Sequence, residues 1–120
     1  MIKKTINSFG FAIEGVLYAF KTQWNFRIHI LASIIVLVLS ILFQISKFEW
    51  IAILICISLV LFAELLNTAI ESVVDLVSPE YNKLAKVAKD TAAASVLILA
   101  IMAFIIGLVI FIPYLINIKI

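Results

Sequence analysis

Glu64, Asn67, Glu71 and Asp75 are the residues of this chain whose types and spacing could do chemistry. At about 100° per residue, a helix brings Glu71 and Asp75 within roughly 20° of Glu64 and sets Asn67 about 60° to one side. Three carboxylates and an amide then share one stripe about 16 Å long. Leu65, Leu66, Ala69, Ile70 and Val73 make up the apolar remainder of the segment. Such a row has two broad uses. It can relay protons or bind ions in transport, or it can act on a polar headgroup. The second use needs a base near the membrane, a metal site nearer water and a cation for phosphate. Glu64 suits the base, Glu71 lies about 10 Å further out for Mg²⁺, and Lys89 follows as the cation. Phosphoryl transfer asks mainly for positioning and charge neutralisation. A glycine-rich phosphate loop is excluded, since Gly10, Gly15 and Gly107 are the only glycines. Oxygen donors without paired His or Cys favour Mg²⁺ over zinc. Plainer roles compete: a cap, or a pairing with Lys83 or Lys86, for Asp75, and a helix start for Glu80.

The depth of the stripe follows from the elements that carry it. Upstream, the charge-free run from Trp50 to Ala63 is about 21 Å long as helix, against a hydrocarbon core of ~30 Å. A crossing must therefore take in Glu64 and Asn67. A carboxylate at membrane depth costs at least ~2.5–3.5 kcal/mol on insertion scales, so it faces a protected or wet site.

The chain has 120 residues, is 66% hydrophobic and has a mean hydropathy of +1.28. Soluble domains are usually ~45–50% apolar, so this is a membrane protein of one domain. A net charge of +2 gives no case for nucleic acid. Cys56 lies in an apolar run and reads as a packing residue. The first twenty residues lack a compact apolar core and carry Glu14, so no cleavable signal pattern is expected.

Four segments follow in order. Residues 3–24 place Ile6, Phe9, Ile13, Val16, Leu17, Phe20 and Trp24 within about 100° of arc. They predict an amphipathic helix lying in the membrane surface; the alternative is a helix packed on the other segments. Residues 28–46 carry no Asp, Glu, Lys or Arg and predict the first crossing. His29, at its start, reads as an interfacial hydrogen-bonding residue. Lys47 to Trp50 reads as a short turn. The second crossing covers 50–69, its helix continuing to about 77. Ser78-Pro79 then suits a helix start, with a short helix through Tyr81 to Lys89. The third crossing covers 91–115, with the small residues Ala92 to Ser95 suited to close helix contact. Lys3, Lys4, Lys21 and Arg27 near the N-terminus, and Lys83, Lys86 and Lys89 in the second loop, outweigh Lys47 and Lys119. The positive-inside rule puts the N-terminus and the Glu71–Asp90 region in the cytoplasm.

The run Glu64-Leu65-Leu66-Asn67-Thr68-Ala69-Ile70-Glu71-Ser72-Val73-Val74-Asp75, with Ala88-Lys89-Asp90 downstream, resembles the small integral-membrane bacterial diacylglycerol kinase family. That family includes the undecaprenol kinases, and Asn25-Phe26-Arg27-Ile28-His29 is more like those members. The resemblance covers nearly the whole chain. It implies an all-α homotrimer in the bacterial cytoplasmic membrane, with a surface helix and three crossings per subunit and active sites between subunits. It implies ATP-dependent phosphorylation of a lipid hydroxyl, on diacylglycerol or undecaprenol, with Mg²⁺. Glu64 would be the general base and, with Ala93, would contact the lipid. Glu71 would bind Mg²⁺ and Asn67 would order phosphates or metal. Lys4, Phe11, Glu80, Tyr81, Asn82, Lys89 and Asp90 would lie at the nucleotide. One position departs from the pattern: Gln23 stands where a second metal-binding Glu is expected. Its carbonyl can ligate Mg²⁺ but brings no negative charge. Two other readings remain, an oligomeric ion-coupled transporter with Glu64 as proton site and a structural module with buried polar contacts.

Overall fold

The structure is a computed structural model that describes residues 1–118; Lys119 of the charge count lies outside them. It is all-helical. Helices α1 (Ile2–Thr22), α2 (Trp24–Phe43), α3 (Lys47–Val77) and α4 (Lys83–Ile118) follow one another with short joints. The last three are long and apolar enough to cross a membrane. At 31 and 36 residues, α3 and α4 are about 46 and 54 Å long. Both exceed a ~30 Å hydrocarbon core, so each has a turn or more beyond it.

Gln23 alone separates α1 from α2. Its extended backbone (φ −111°, ψ 109°) breaks the helix, while its N–H still donates to the Ala19 carbonyl. Arg27 clamps this joint. Its guanidinium donates to the carbonyls of Phe20 and Lys21 and lies 5.7 Å from the Phe20 ring centre and 5.9 Å from that of Trp24. Two exposed carbonyls at the end of α1 thereby gain partners. Ala19 is the one buried residue of α1, and Ile6, Phe9, Ile13, Leu17 and Phe20 are all exposed.

Helix α2 stops at Gln44, whose left-handed backbone (φ 50°) turns the Gln44 and Ile45 amides onto the Ile41 and Ser40 carbonyls. Lys47 to Trp50 is no separate turn but the first turn of α3. Ser46 and Glu49 form a reciprocal capping box there, the Ser46 hydroxyl accepting from Glu49 N–H and the Glu49 carboxylate from Ser46 N–H. Beyond it lies the apolar core, Ile45, Ile53, Ile110 and Phe111, with Phe43 and Tyr114 stacked at 5.9 Å. Tyr114 donates its hydroxyl proton to Glu49, which ties α4 to the α3 cap.

The α3–α4 joint also differs from the sequence expectation. Ser78-Pro79 opens no helix. Asn82 does, its side-chain oxygen accepting from the N–H groups of Leu84 and Ala85. From Lys83 the helix runs unbroken through the third crossing, so residues 81–89 form no separate short helix. No Gly or Pro falls between Lys83 and Gly107, and a stretch with neither has no reason to stop at Lys89.

Candidate functional site

From Glu64 to Glu71 the polar stripe of α3 faces inward, while Asp75 is exposed. Glu64 is 2% exposed, and Asn67 and Thr68 are also buried, whereas Leu66, Ile70 and Val73 are exposed. This half of α3 reverses the soluble pattern, as suits a helix whose outer surface meets lipid or other apolar helices.

Glu71, half-buried, is the hub of the cluster. Its Oε1 accepts from Asn67 Nδ2 at 3.1 Å and its Oε2 from Gln23 Nε2 at 3.2 Å. Gln23 arrives from the α1–α2 joint, so the one-residue break in the helix is what presents it. Asn67 Oδ1 is buried and has no hydrogen-bond partner. Such an atom is uncommon in a native interior. Amide oxygen and nitrogen are placed by the network they join, so both amides can turn their oxygens toward Glu71 around a cation. The oxygens of Glu71, Asn67 and Gln23 together fit a hard cation that keeps several waters and substrate oxygens. Among the described residues no three His, Cys, Asp or Glu side chains gather into a metal cluster, so a cation here would draw on amide and substrate oxygens.

Glu64 lies one helical turn deeper than Asn67. His29 of α2 faces it, with Nε2 3.5 Å from Glu64 Oε1. The Thr68 hydroxyl donates to the Glu64 backbone carbonyl. Sequence alone puts His29 at an interface with no named partner; only the packing of α2 on α3 brings the two together.

Beyond Glu71, Asp75 pairs with Lys89 rather than with Lys83 or Lys86, and Lys86 pairs with Asp90 at 2.6 Å. These four residues, with Glu80, Tyr81 and Asn82, line a recess of about 400 Å³ at the α3–α4 joint. Asn82 is at once helix cap and recess wall. Other expected positions stand apart. Lys4 and Phe11 lie on the exposed part of α1, with no side-chain hydrogen bond or ion pair to the cluster among the described residues. Ala93 is exposed, while its neighbours Ala92 and Val96 are buried.

The chain matches the family model described as prokaryotic diacylglycerol kinase over residues 10–111. It is 44% identical over 114 residues to a diacylglycerol kinase of Synechocystis sp., covering 94% of this chain and 65% of that protein. It is 40% identical over 112 residues to the undecaprenol kinase of Bacillus subtilis, covering 93% of this chain and 91% of that one. A diacylglycerol kinase of Escherichia coli is 31% identical over 102 residues, covering 85% of this chain and 84% of its own length.

Proposed function

The chain belongs to the prokaryotic diacylglycerol kinase family of lipid kinases, as a multi-pass membrane protein, and we propose that it transfers the γ-phosphoryl group of ATP to the hydroxyl of a membrane lipid at the cytoplasmic interface. The observation that carries this reading is a succession of three levels along α3, from its buried middle to the α3–α4 joint. A buried carboxylate, Glu64, lies deepest; an amide-ringed carboxylate, Glu71, lies one level out; a polar recess that holds Lys89 lies beyond.

The roles follow from depth. The lipid hydroxyl approaches Glu64, which takes its proton as the oxygen bonds to the γ-phosphorus. The bond from that phosphorus to the bridging oxygen breaks, and ADP leaves. Lys89 neutralises phosphate charge, and Asn82, Glu80 and Asp90 border the nucleotide. Glu71, Asn67 and Gln23 would hold Mg²⁺, which when bound would neutralise charge on the phosphate oxygens. The N-terminus and the recess share the cytoplasmic side, as the lysine distribution favours. Helix α1 lies in the membrane surface. Its apolar residues are exposed rather than packed, which supports that placement over the alternative. Lys4 and Phe11, remote from their own chain's carboxylates, serve a neighbouring copy in a homotrimer whose sites lie between subunits. Family membership disfavours ion-coupled transport through Glu64.

The test is transfer of labelled γ-phosphate from Mg·ATP by the purified protein in mixed micelles. Diacylglycerol and undecaprenol are offered separately, with Glu64→Gln as control. Label in one lipid, lost in the control, names the acceptor. No label in either from an assembled oligomer refutes the kinase reading for these lipids.

A further inference from the structure

The reaction above leaves one neighbour of Glu64 without a task. The imidazole of His29 is 23% exposed and the carboxylate it faces is 2% exposed. Among the described residues, no other side chain makes a hydrogen bond or ion pair to that carboxylate. The charged or titratable groups acting on it are His29 from α2 and Glu71 from α3 itself. Glu71 is already engaged by Gln23 and Asn67, and among the described residues α1 and α4 bring no charged group to the Glu64 carboxylate. His29, with Ser33, also lines a largely apolar cavity of about 220 Å³ walled by Val36, Ile53, Val60 and Phe104.

We propose that His29 is a positioning residue for Glu64: as a neutral imidazole it donates its Nε2 proton to Oε1 and holds Oε2 toward the lipid hydroxyl. This rests on the assignment of Glu64 as base. A lysine or arginine in that place would carry a permanent charge against the base, whereas imidazole donates a hydrogen bond without one. The 3.5 Å separation is about 0.5 Å longer than an ordinary N–H···O bond. Contacts of this kind commonly tighten only when substrate binds. Orientation is worth the device, because a displacement of about 1 Å at a reacting group can cost roughly 100-fold in rate.

Two measurements test it. His29→Leu lowers kcat about 10–100-fold, the range for losing a group that orients a reacting ligand, with KM for Mg·ATP unchanged. His29→Gln, which restores an amide N–H at similar reach, recovers most of the rate. Equal loss in both variants, or wild-type kcat in His29→Leu, overturns the proposal. The second measurement needs no turnover. His29 is the only histidine, so its imidazole ¹⁵N resonances in labelled protein are unambiguous. Glu64→Gln shifts them and Glu49→Gln leaves them in place; resonances indifferent to Glu64→Gln overturn the pairing. If the wild-type protein labels no lipid, the kinase assignment falls while the resonances still decide whether His29 and Glu64 interact.

Discussion

Two glutamates of α3, Glu49 in its first turn and Glu64 near its middle, are handled differently. At the Ser46 end, Glu49 accepts from Ser46 N–H and from the Tyr114 hydroxyl, and the surrounding residues are apolar core. Ser46, Glu49 and Tyr114 each have a local partner, and the result is a helix cap bolted to α4. Near the middle of the helix, Glu64 is more deeply buried, yet its side-chain neighbour is a single imidazole at 3.5 Å. Asn67 Oδ1 beside it has no partner. A satisfied polar group stabilises; a buried one left waiting is a cost that function must justify. The difference predicts that changes at the Ser46 end move stability and changes around Glu64 move turnover.

Glu64→Gln is the sharpest test of that division. It keeps the shape and removes the base. Turnover should fall about 10²–10⁴-fold, the usual worth of a positioned base. Oligomer size on gel filtration and the melting temperature should be retained. A variant that instead dissociates would place Glu64 with Glu49, among the structural glutamates.

Lys89→Met comes next. Losing a hydrogen bond to a charged phosphate costs ~1.5–3 kcal/mol, about 10–100-fold in kcat/KM for ATP. Asp75→Asn separates this from loss of the Asp75–Lys89 pair. That pair is solvent-exposed, and such pairs contribute little to stability. Asp75→Asn should therefore leave the melting temperature near that of wild type. A KM for ATP raised as far by Asp75→Asn as by Lys89→Met would mean that the lysine matters only through its partner.

How much of this was legible in the sequence depends on range. The stripe Glu64, Asn67, Glu71 was visible because helical periodicity is local, and the three long apolar helices were visible from composition. The inward direction of the stripe follows once the outer surface is apolar, since a membrane offers apolar residues a home outside. The joints were harder. Ser78-Pro79 and Asn82 are both plausible helix starts, and only the structure shows Asn82 taking the N–H groups of Leu84 and Ala85. Capping by Ser46 and Glu49 was in fact encoded, three residues apart, but the Lys47–Trp50 charges suggested a turn. His29 against Glu64 and Gln23 against Glu71 were out of reach. Each depends on the register of α2 or of a joint against α3, which no local spacing records.

Ser46→Ala tests the capped end of α3. It removes one half of the capping box, worth ~1 kcal/mol. The melting temperature in detergent should fall, while turnover per folded enzyme stays at the wild-type value. A drop in turnover at unchanged stability would break the division between the Glu49 and Glu64 regions.

Gln23→Glu asks the finest question, whether the Glu71 cluster is built for a cation. The substitution sets a second carboxylate where an amide now donates to Glu71 Oε2 at 3.2 Å. Without a divalent ion the two charges repel, and the hydrogen bond is lost. With Mg²⁺ between them, the added charge strengthens binding. The variant should therefore melt below wild type in EDTA, regain stability as Mg²⁺ is added, and reach half-maximal activity at several-fold lower Mg²⁺. Melting in EDTA and in Mg²⁺ reads the cation without needing turnover. Identical Mg²⁺ titrations for variant and wild type would remove Gln23 from the cation's ligands and leave its amide as a brace for Glu71. The cluster would then resemble the Ser46 end more closely than its unpartnered Asn67 oxygen suggests.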